Sequence, residues 1–275
     1  MNTEEHKRQF RNICVEYLPH FRTLELPTIQ TDSVNEAVFI DFRELQHIEL
    51  LVRNAILKIG GEWSYTIVCG NTNYDFCRLI AQTISENIKV IRLDYDAIDI
   101  NGYNNLLLTV DFWNLFTGKK ILLYQEDSFI FKGNIGDFMR FDYIGAPWNH
   151  LKGYTVVGNG GFSLRNRLLM IELLNRIPVG SVQLHPFIAM EMRKRKMTQL
   201  PEDVYFSRAI LMGRVGRLAD IKSACMFSIE NLYYADPLGG HQFWVAMRDW
   251  KNFLRKNLFL TVKKGTRKER TENTV

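Results

Sequence analysis

The sequence has no hydrophobic run long enough to span a membrane. Its 275 residues are 46% hydrophobic and 24% charged, a composition typical of a globular protein with a buried core. No segment reaches the roughly 18 consecutive apolar residues that a transmembrane helix needs. The N-terminal residues are charged and lack an apolar centre, so the sequence predicts no secretory signal and a cytoplasmic location.

Cysteine is scarce, and its spacing is uninformative for metal binding. The four cysteines are Cys14, Cys69, Cys77 and Cys225, and no two of them form a CxxC pair. This pattern indicates neither a zinc site nor a disulfide framework. Free thiols in a reducing compartment are the favoured interpretation.

The sequence has no excess of positive charge outside its C-terminal 30 residues. The formal net charge is +5, but residues 246–275 alone contribute +6, so the remainder of the chain is at −1. A nucleic-acid-binding protein is therefore disfavoured, because its basic residues would lie on the folded domain. The basic end is typical of a solvated tail, and contact with an anionic membrane surface is the less favoured alternative.

Strand-like and helix-like segments alternate from residue 36 to the middle of the chain. Strands separated by helices of about a dozen residues require crossover connections. The sequence therefore predicts an α/β fold with a mostly parallel central sheet flanked by helices and a Rossmann-like nucleotide-binding half. The predicted strands are 36–42, 65–69, 89–93, 119–124, 142–148, 156–164 and 227–230. The predicted helices are a short one around 4–18, then 47–59, 76–87, 103–115, 168–175, 186–196, 202–212 and 243–258.

One folded unit accounts for most of the chain. Residues 1–35 are predicted to form a peripheral N-terminal segment, 36–245 the α/β domain, and 246–275 a closing helix with the basic tail. No internal repeat or low-complexity linker interrupts this arrangement.

The most informative segment is an apolar run that ends abruptly in acidic residues, Gln125-Glu126-Asp127. Ligands of open α/β sheets bind at the carboxyl ends of the strands, and hard divalent cations that hold phosphates prefer oxygen ligands. The pattern favours a metal-and-diphosphate site with Asp127 as ligand and Gln125 beside it. Ordinary turn residues are the alternative.

A glycine-rich segment follows at residues 158–165, with Asn159, Gly160 and Gly161 at its centre. Consecutive glycines permit close approach of a polar ligand, whereas Asn-Gly is also a strong hairpin signal. The segment matches neither a Walker loop nor a GxGxxG fingerprint. Sugar contact is therefore favoured over phosphate cradling.

Two further places carry candidate chemical groups. Glu202 and Asp203 follow Pro201 at the start of a predicted helix, where they complement the helix dipole; one of them as a catalytic base is equally favoured. His241 follows two glycines, and a neutral imidazole there can join a carboxylate on Mn²⁺. A lone histidine is more often structural, so Asp127 is what makes it a candidate.

At these four places the sequence resembles metal-dependent glycosyltransferases of the GT-A fold. In that fold an Asp-x-Asp motif ends a strand near the middle of the domain, and Gln125-Glu126-Asp127 matches it with Gln at the first position. The segments 158–164 and 202–204 are similar to the GG and EDV elements of inverting β-1,3-galactosyltransferase-like enzymes. A closer resemblance, over about residues 36–245, is to a largely uncharacterised GT-A-like family. The runs that carry it are 42–43, 62–70, 124–128, 142–148 and 158–165.

The resemblance implies a single GT-A-type domain and a hexosyltransferase-type enzyme that inverts the anomeric configuration. It also implies a nucleotide-sugar donor, with a UDP-sugar favoured, a glycan or other hydroxyl acceptor, and Mn²⁺ or Mg²⁺ on Asp127 and His241. The implied roles are Asp203 as base with Glu202 second; Asp41, Arg43, Asn104, Gln125, Glu126 and Asp127 as donor-binding residues; and Trp148, Asn159, Gly160 and Gly161 as the sugar or acceptor pocket. For Trp148, core packing and sugar stacking are equally favoured.

Two other classes of function remain open on the sequence. A catalytically degenerate module that binds a nucleotide or glycan is one, because Gln125 replaces the first Asp of the motif. A nucleotide-sugar hydrolase that uses the same metal is the other. A dinucleotide-dependent dehydrogenase is disfavoured, since no glycine fingerprint follows the first strand.

Overall fold

A computed structural model describes residues 3–148, 150–151, 153–155 and 157–272. Within them, six strands form a central sheet and three form a smaller one. The central strands are β1 (Asn35–Ile40), β2 (Ser64–Cys69), β3 (Lys89–Arg92), β4 (Lys120–Tyr124), β6 (Tyr143–Gly145) and β7 (Phe162–Asn166), and the smaller sheet contains β5 (Ser128–Ile130), β8 (Ser228–Ile229) and β9 (Gly239–His241).

The central sheet is mixed, with the strand order β3-β2-β1-β4-β7-β6. Strands β3, β2, β1 and β4, which are adjacent in this order, are parallel to one another, which confirms the predicted α/β class. Strand β7 runs antiparallel to both β4 and β6, so the sheet is less parallel than the sequence predicted. The chain reaches β7 through short strands and loops rather than a long crossover helix, and only parallel neighbours require such a crossover.

Ten α-helices are found in the described residues: α1 (Thr3–Arg22), α2 (Ile48–Ile59), α3 (Tyr74–Ile84), α4 (Ile100–Leu107), α5 (Val110–Asn114), α6 (Arg167–Arg176), α7 (Pro186–Lys194), α8 (Glu202–Gly213), α9 (Ile221–Phe227) and α10 (Trp250–Glu272). None of these helices is both long and apolar enough to cross a membrane.

Three predicted elements differ from the structure. The helix predicted over 103–115 is two helices, because the Thr109 side chain accepts a hydrogen bond from the Phe112 N–H and caps α5. The closing helix begins at Trp250, after Gln242 adopts a left-handed φ of 44° and a short 3₁₀ turn follows. Of the strand predicted over 156–164, only 162–164 are in β7, and Val156 lies outside the described residues.

Two hydrophobic layers cover the two faces of the central sheet. Successive residues of a strand point to opposite faces, and accordingly Phe39 belongs to one core cluster and Val38 to the other. Helix α1 contributes Phe10, Ile13 and Cys14 to the first layer. The division of the chain at residue 35 stays a prediction, but α1 is an integral part of the core rather than a peripheral segment.

The topology brings several loops to one edge of the sheet. Phe39 pairs with Tyr124 in the parallel β1–β4 register, so residues 41–43 and 125–127 leave the sheet side by side. Tyr124 also pairs with Phe162, the first residue of antiparallel β7. Because an antiparallel strand begins where its neighbour ends, the glycines before β7 lie at the same edge.

Candidate active site

The carboxyl edge of the central sheet opens into a cleft of about 830 Å³. All the site residues predicted from the sequence line this cleft: Asp41, Arg43, Asn104, Gln125, Glu126, Asp127, Trp148, Asn159, Gly160, Gly161, Glu202, Asp203 and His241. Clefts at this edge are where α/β sheets bind ligands. The structure therefore places these residues together, and their individual roles stay predictions.

Asp127 lies at one end of the cleft and is surrounded by hydrogen-bond donors. Its Oδ1 is 3.1 Å from His241 Nε2, and its Oδ2 is 3.0 Å from Lys7 Nζ and 2.9 Å from Gln242 Nε2. Burial opposes ionisation here, but the charges of His241 and Lys7 outweigh it and hold the pKa of Asp127 well below its usual range. Asp127 is therefore ionised at neutral pH.

The Glu126 carboxylate is occupied by contacts with protein side chains. Its carboxylate is 2% exposed and accepts two hydrogen bonds from Arg11, at 2.6 and 3.0 Å. His47 Nε2 and Arg43 Nη2 lie 3.2 and 3.3 Å from the same carboxylate. Burial raises its pKa, but the hydrogen bonds from His47 and Arg11 lower the pKa of Glu126 to about 2. Its prediction as a donor-binding residue is not supported by these contacts.

Asp41 and Arg43 form a pair that borders the same end of the cleft. The guanidinium donates from Nε to Oδ1 at 3.0 Å and from Nη2 to Oδ2 at 2.7 Å. The Arg43 side chain is nevertheless 55% exposed, so it can also contact a ligand. Asp41 holds Arg43 at the cleft, and the contact of either residue with a nucleobase or ribose stays a prediction.

Gly160 and Gly161 connect the two ends of the cleft. A Cβ on Gly160 would collide with Glu202 Oε1, and a Cβ on Gly161 would collide with the His241 ring. Gly160 N–H also donates to Asp203 Oδ2 at 3.1 Å. Consecutive Cα atoms are only about 3.8 Å apart, so the Asp127–His241 group and the Glu202–Asp203 group border the same small space.

Glu202 is held in a buried ion pair with Arg165. The guanidinium donates twice to this carboxylate, once at 2.9 Å, and the Arg165 side chain is 0% exposed. The cation also lies 4.9 Å from the centroid of the Tyr143 ring. A carboxylate fixed in this way cannot accept a proton without leaving a buried charge unpaired. Glu202 is therefore a poor second candidate for a base.

Asp203 is half-buried at the first turn of α8 and differs from its neighbour. It accepts hydrogen bonds from the backbone N–H groups of Gly160 and Val204. Burial, and then the negative charge of Glu202, raise the pKa of Asp203 to about 7. A carboxylate that titrates near neutral pH at a cleft surface has the proton affinity that a general base needs.

One polar group near Asp203 has no protein partner among the described residues. Asn104 Oδ1 accepts from the Glu202 N–H at 3.1 Å, which fixes the orientation of the amide, and its Nδ2 is buried without a partner. The Tyr103 hydroxyl is also buried, and Gln125 is its polar neighbour. Buried polar groups are rarely left unpaired, so Asn104 Nδ2 is suited to a polar ligand.

The remaining wall of the cleft is partly apolar. Trp148 is 6% exposed and belongs to the second core cluster, so core packing explains most of its surface and only a small part faces the cleft. Beside it, the rings of His150 and Phe187 are 4.3 Å apart. These rings provide more accessible stacking surface than Trp148 does.

Metal binding was predicted at Asp127 and His241, and the structure places these side chains in contact. Within the described residues, however, no three His, Cys, Asp or Glu side chains are grouped so that they could hold a metal ion. The second oxygen of Asp127 is taken by Lys7 and Gln242. The protein groups at this place therefore do not fit a preformed cation site, and dependence on Mn²⁺ or Mg²⁺ stays a prediction.

Sequence reasoning missed Lys7, Arg11 and Arg165. The first two are on α1, more than a hundred residues from their carboxylate partners, and no local pattern marks them. Arg165 is a charged residue in strand β7, between Leu164 and Asn166, and its side chain is fully buried. A buried arginine in such a position requires a carboxylate partner.

Comparisons with known proteins give a family and two structural likenesses. A family described as "Protein of unknown function (DUF5672)" matches residues 87–241, and no curated protein sequence matches the chain. The fold is similar to the apo form of the glycosyltransferase GlyE of Streptococcus pneumoniae TIGR4, with 11% identity and a TM-score of 0.48 over 86% of this chain and 64% of that one. It is also similar to apo mouse xyloside xylosyltransferase 1, with 12% identity and a TM-score of 0.46 over 76% and 97% of the two chains. Because so little sequence is shared, the function has to be inferred from the cleft itself.

Proposed function

This chain belongs to the DUF5672 family of proteins of unknown function, and we propose that it is a glycosyltransferase. It would move a sugar from a nucleotide-sugar donor to a hydroxyl of an acceptor, with inversion at the anomeric carbon. A UDP-sugar is the first donor to test.

One observation carries this proposal: two chemically different groups of side chains, Asp127 with His241 and Glu202 with Asp203, lie next to the consecutive residues Gly161 and Gly160. At one end of the cleft Asp127 contacts both Lys7 and His241. At the other end lies Asp203, whose pKa is about 7. A sugar ring is small enough to lie between them with its leaving diphosphate at the first end and the acceptor at the second. A transferase needs this separation of charge binding and base catalysis.

The reaction needs one proton transfer and one displacement. The Asp203 carboxylate takes the proton of the acceptor hydroxyl, and the acceptor oxygen attacks the anomeric carbon. The bond from that carbon to the diphosphate breaks, and its electron pair leaves with the nucleoside diphosphate. Asp203 holds the proton at the end of the step, and a base placed in this way contributes roughly 10²- to 10⁴-fold to the rate.

Other cleft residues would bind rather than react. Asp41 and Arg43 border the place proposed for the nucleobase or ribose, and Gln125 lies beside them. The unpartnered Asn104 Nδ2 is a hydrogen-bond donor for a sugar oxygen. Gly160 and Gly161 let Glu202 and the His241 ring approach the backbone closely, because a Cβ at either position would collide with them.

A panel of UDP-, GDP-, CMP- and dTDP-sugars, each with Mn²⁺ and with EDTA, tests the proposal. A ligand that binds the native state raises the melting temperature, so one nucleotide class should give a shift. That donor should then yield a glycosylated product with an acceptor alcohol or sugar. Binding with no product under any condition would instead indicate a binding module.

The same reactions separate a transferase from a hydrolase. Both release a nucleoside diphosphate, but only a transferase directs the sugar to an added acceptor. If free sugar forms and no acceptor diverts it, hydrolysis is the activity. If none of the nucleotide-sugars changes the melting temperature of the folded protein, the proposal is overturned.

A further inference from the structure

Helix α1 carries Lys7, whose ammonium group lies at the end of the cleft where the donor diphosphate is proposed to bind. Lys7 lines the cleft, and its Nζ is 3.0 Å from Asp127 Oδ2. The side chain is 19% exposed, so it is enclosed by protein yet open to the cleft. An ammonium group carries three N–H donors, and Asp127 takes one of them.

The position of Lys7 is fixed by the rest of α1. Arg11 lies one helical turn further on and therefore faces the same side; it binds Glu126, the neighbour of Asp127, with two hydrogen bonds. Between them Phe10 is fully buried and packs against the rings of His47 and Phe243. Trp250 Nε1 also donates to His6 Nδ1 at 3.1 Å. The cation is thus preorganised on a rigid element.

We infer that Lys7 is a diphosphate-binding residue, which supplies positive charge at the place where the sequence predicted a divalent cation. The inference rests on the proposed function, because the diphosphate is that of the nucleotide-sugar. Phosphate oxygens would accept hydrogen bonds from the N–H groups of Lys7 that Asp127 does not use. Arg43, which binds Asp41 and approaches Glu126, is a second cation that lines the same cleft.

The surroundings of Asp127 favour this arrangement over a metal site. Lys7 and Gln242 both contact Oδ2, and His241 contacts Oδ1. A cation that used both oxygens would have to displace these donors. A diphosphate needs no such displacement, because it adds an anion beside donors that are already in place, and preorganised groups lose little entropy on binding.

The test is calorimetric titration of the intact protein with UDP, GDP, CDP and dTDP in the presence of EDTA, and again with Mn²⁺. The variant Lys7→Met removes the charge and keeps an unbranched side chain. Arg8→Met is the matched control, since Arg8 is on the same helix with a 70% exposed side chain that pairs with Glu5. Lys7→Arg restores a cation. Thermal melting checks that all variants fold.

We expect one nucleoside diphosphate to bind the wild-type protein in EDTA. Loss of a charge-assisted hydrogen bond should weaken this binding about 10- to 100-fold in Lys7→Met, with at most about twofold change in Arg8→Met and recovery of most of the affinity in Lys7→Arg. Binding that requires Mn²⁺, or that Lys7→Met leaves unchanged, would overturn the inference and leave the proposed function standing. If no nucleoside diphosphate binds under either condition, the proposed function fails as well.

Discussion

The cleft contains two pairs of consecutive carboxylates, and comparing them shows how the same residue types acquire different chemistry. In Glu126–Asp127 and in Glu202–Asp203 the glutamate is buried against arginine, Arg11 in the first pair and Arg165 in the second. In both pairs the aspartate faces the cleft. The pairs diverge only in what surrounds that aspartate.

Cations surround Asp127, whereas Asp203 meets backbone N–H groups and the charge of its neighbour. Lys7 and His241 hold the pKa of Asp127 well below its usual range. Burial, with the Glu202 charge, raises the pKa of Asp203 to about 7. Environments that push two carboxylates apart in pKa separate a permanent anion from a proton acceptor. The comparison therefore supports the proposal of charge binding at one pair and base chemistry at the other.

The largest expected effect is on the chemistry of the second pair. Asp203→Asn removes the proton acceptor and should lower kcat by about 10²- to 10⁴-fold, while nucleotide binding changes little. The donor found in the nucleotide-sugar panel is used for both measurements. Asp127→Asn should leave the base intact and weaken nucleotide binding, because Lys7 and His241 lose the carboxylate that holds them in place. Equal loss of binding in the two variants would contradict the division of roles.

The next largest effect concerns the buried Arg165 of the second pair, with the exposed ion pair of Arg176 as the control. Arg165→Met leaves the Glu202 charge buried and unpaired, so the free energy of unfolding in urea should fall by about 3–5 kcal/mol. Arg176→Met, which breaks an ion pair whose side chains are 58% and 42% exposed, should change it by less than about 1 kcal/mol.

The double variant Arg165→Met, Glu202→Leu tests the reason for that loss. It removes both charges, and replacing a buried ion pair by apolar groups is often neutral. Most of the stability should therefore return. If the double variant is as unstable as Arg165→Met alone, lost packing around the Tyr143 ring rather than an unpaired charge is the cause.

The sequence identified much of the cleft because its signals are local. An apolar strand that ends in Asp127, a pair of glycines and an acidic helix start at Glu202 are each visible within a few residues. Their meeting at one edge follows from parallel neighbours β1 and β4, which crossover connections predict. The roles of these residues still rest on experiment.

What the sequence could not show depends on distant contacts. Nothing near Lys7 indicates that it reaches Asp127, since the contact exists only after α1 packs on the core. The antiparallel direction of β7 was missed because loops rather than a patterned helix precede it. The contrast between Asp127 and Asp203 is likewise tertiary, because it depends on burial and on which charges lie nearby.

A third prediction uses pH to test the raised pKa of Asp203. The active form is the ionised carboxylate, so log(kcat/KM) should fall with a slope of about one as the pH drops below about 7, or about tenfold per unit. The residual activity of the Asp203→Asn variant should not show this decrease at low pH. A wild-type rate that is flat between pH 5 and 8 would be inconsistent with Asp203 as the base.

Stability gives an independent measure of the same group. Because the folded-state pKa of Asp203 lies above the unfolded value of 3.8, the folded protein binds this proton more tightly and loses stability as the pH rises from about 4 to about 7. Asp203→Asn removes that loss. The variant should gain on the order of 1 kcal/mol over the wild-type protein at pH 8, and little at pH 4, in urea unfolding.

The smallest effect is expected at the polar group that has no protein partner. Asn104→Ala removes an Nδ2 donor that is buried at the cleft and that we expect to bind a sugar oxygen. One hydrogen bond contributes about 1 kcal/mol, so kcat/KM for the sugar donor should fall about fivefold. Asn101→Ala is the control, because Asn101 is half-buried on the same helix and its Oδ1 likewise accepts a backbone N–H, that of Thr198 at 2.8 Å. An equal loss in both variants would mean that anchoring of the backbone, rather than contact with the sugar, explains the effect, and Asn104 would then belong to the scaffold of the second carboxylate pair.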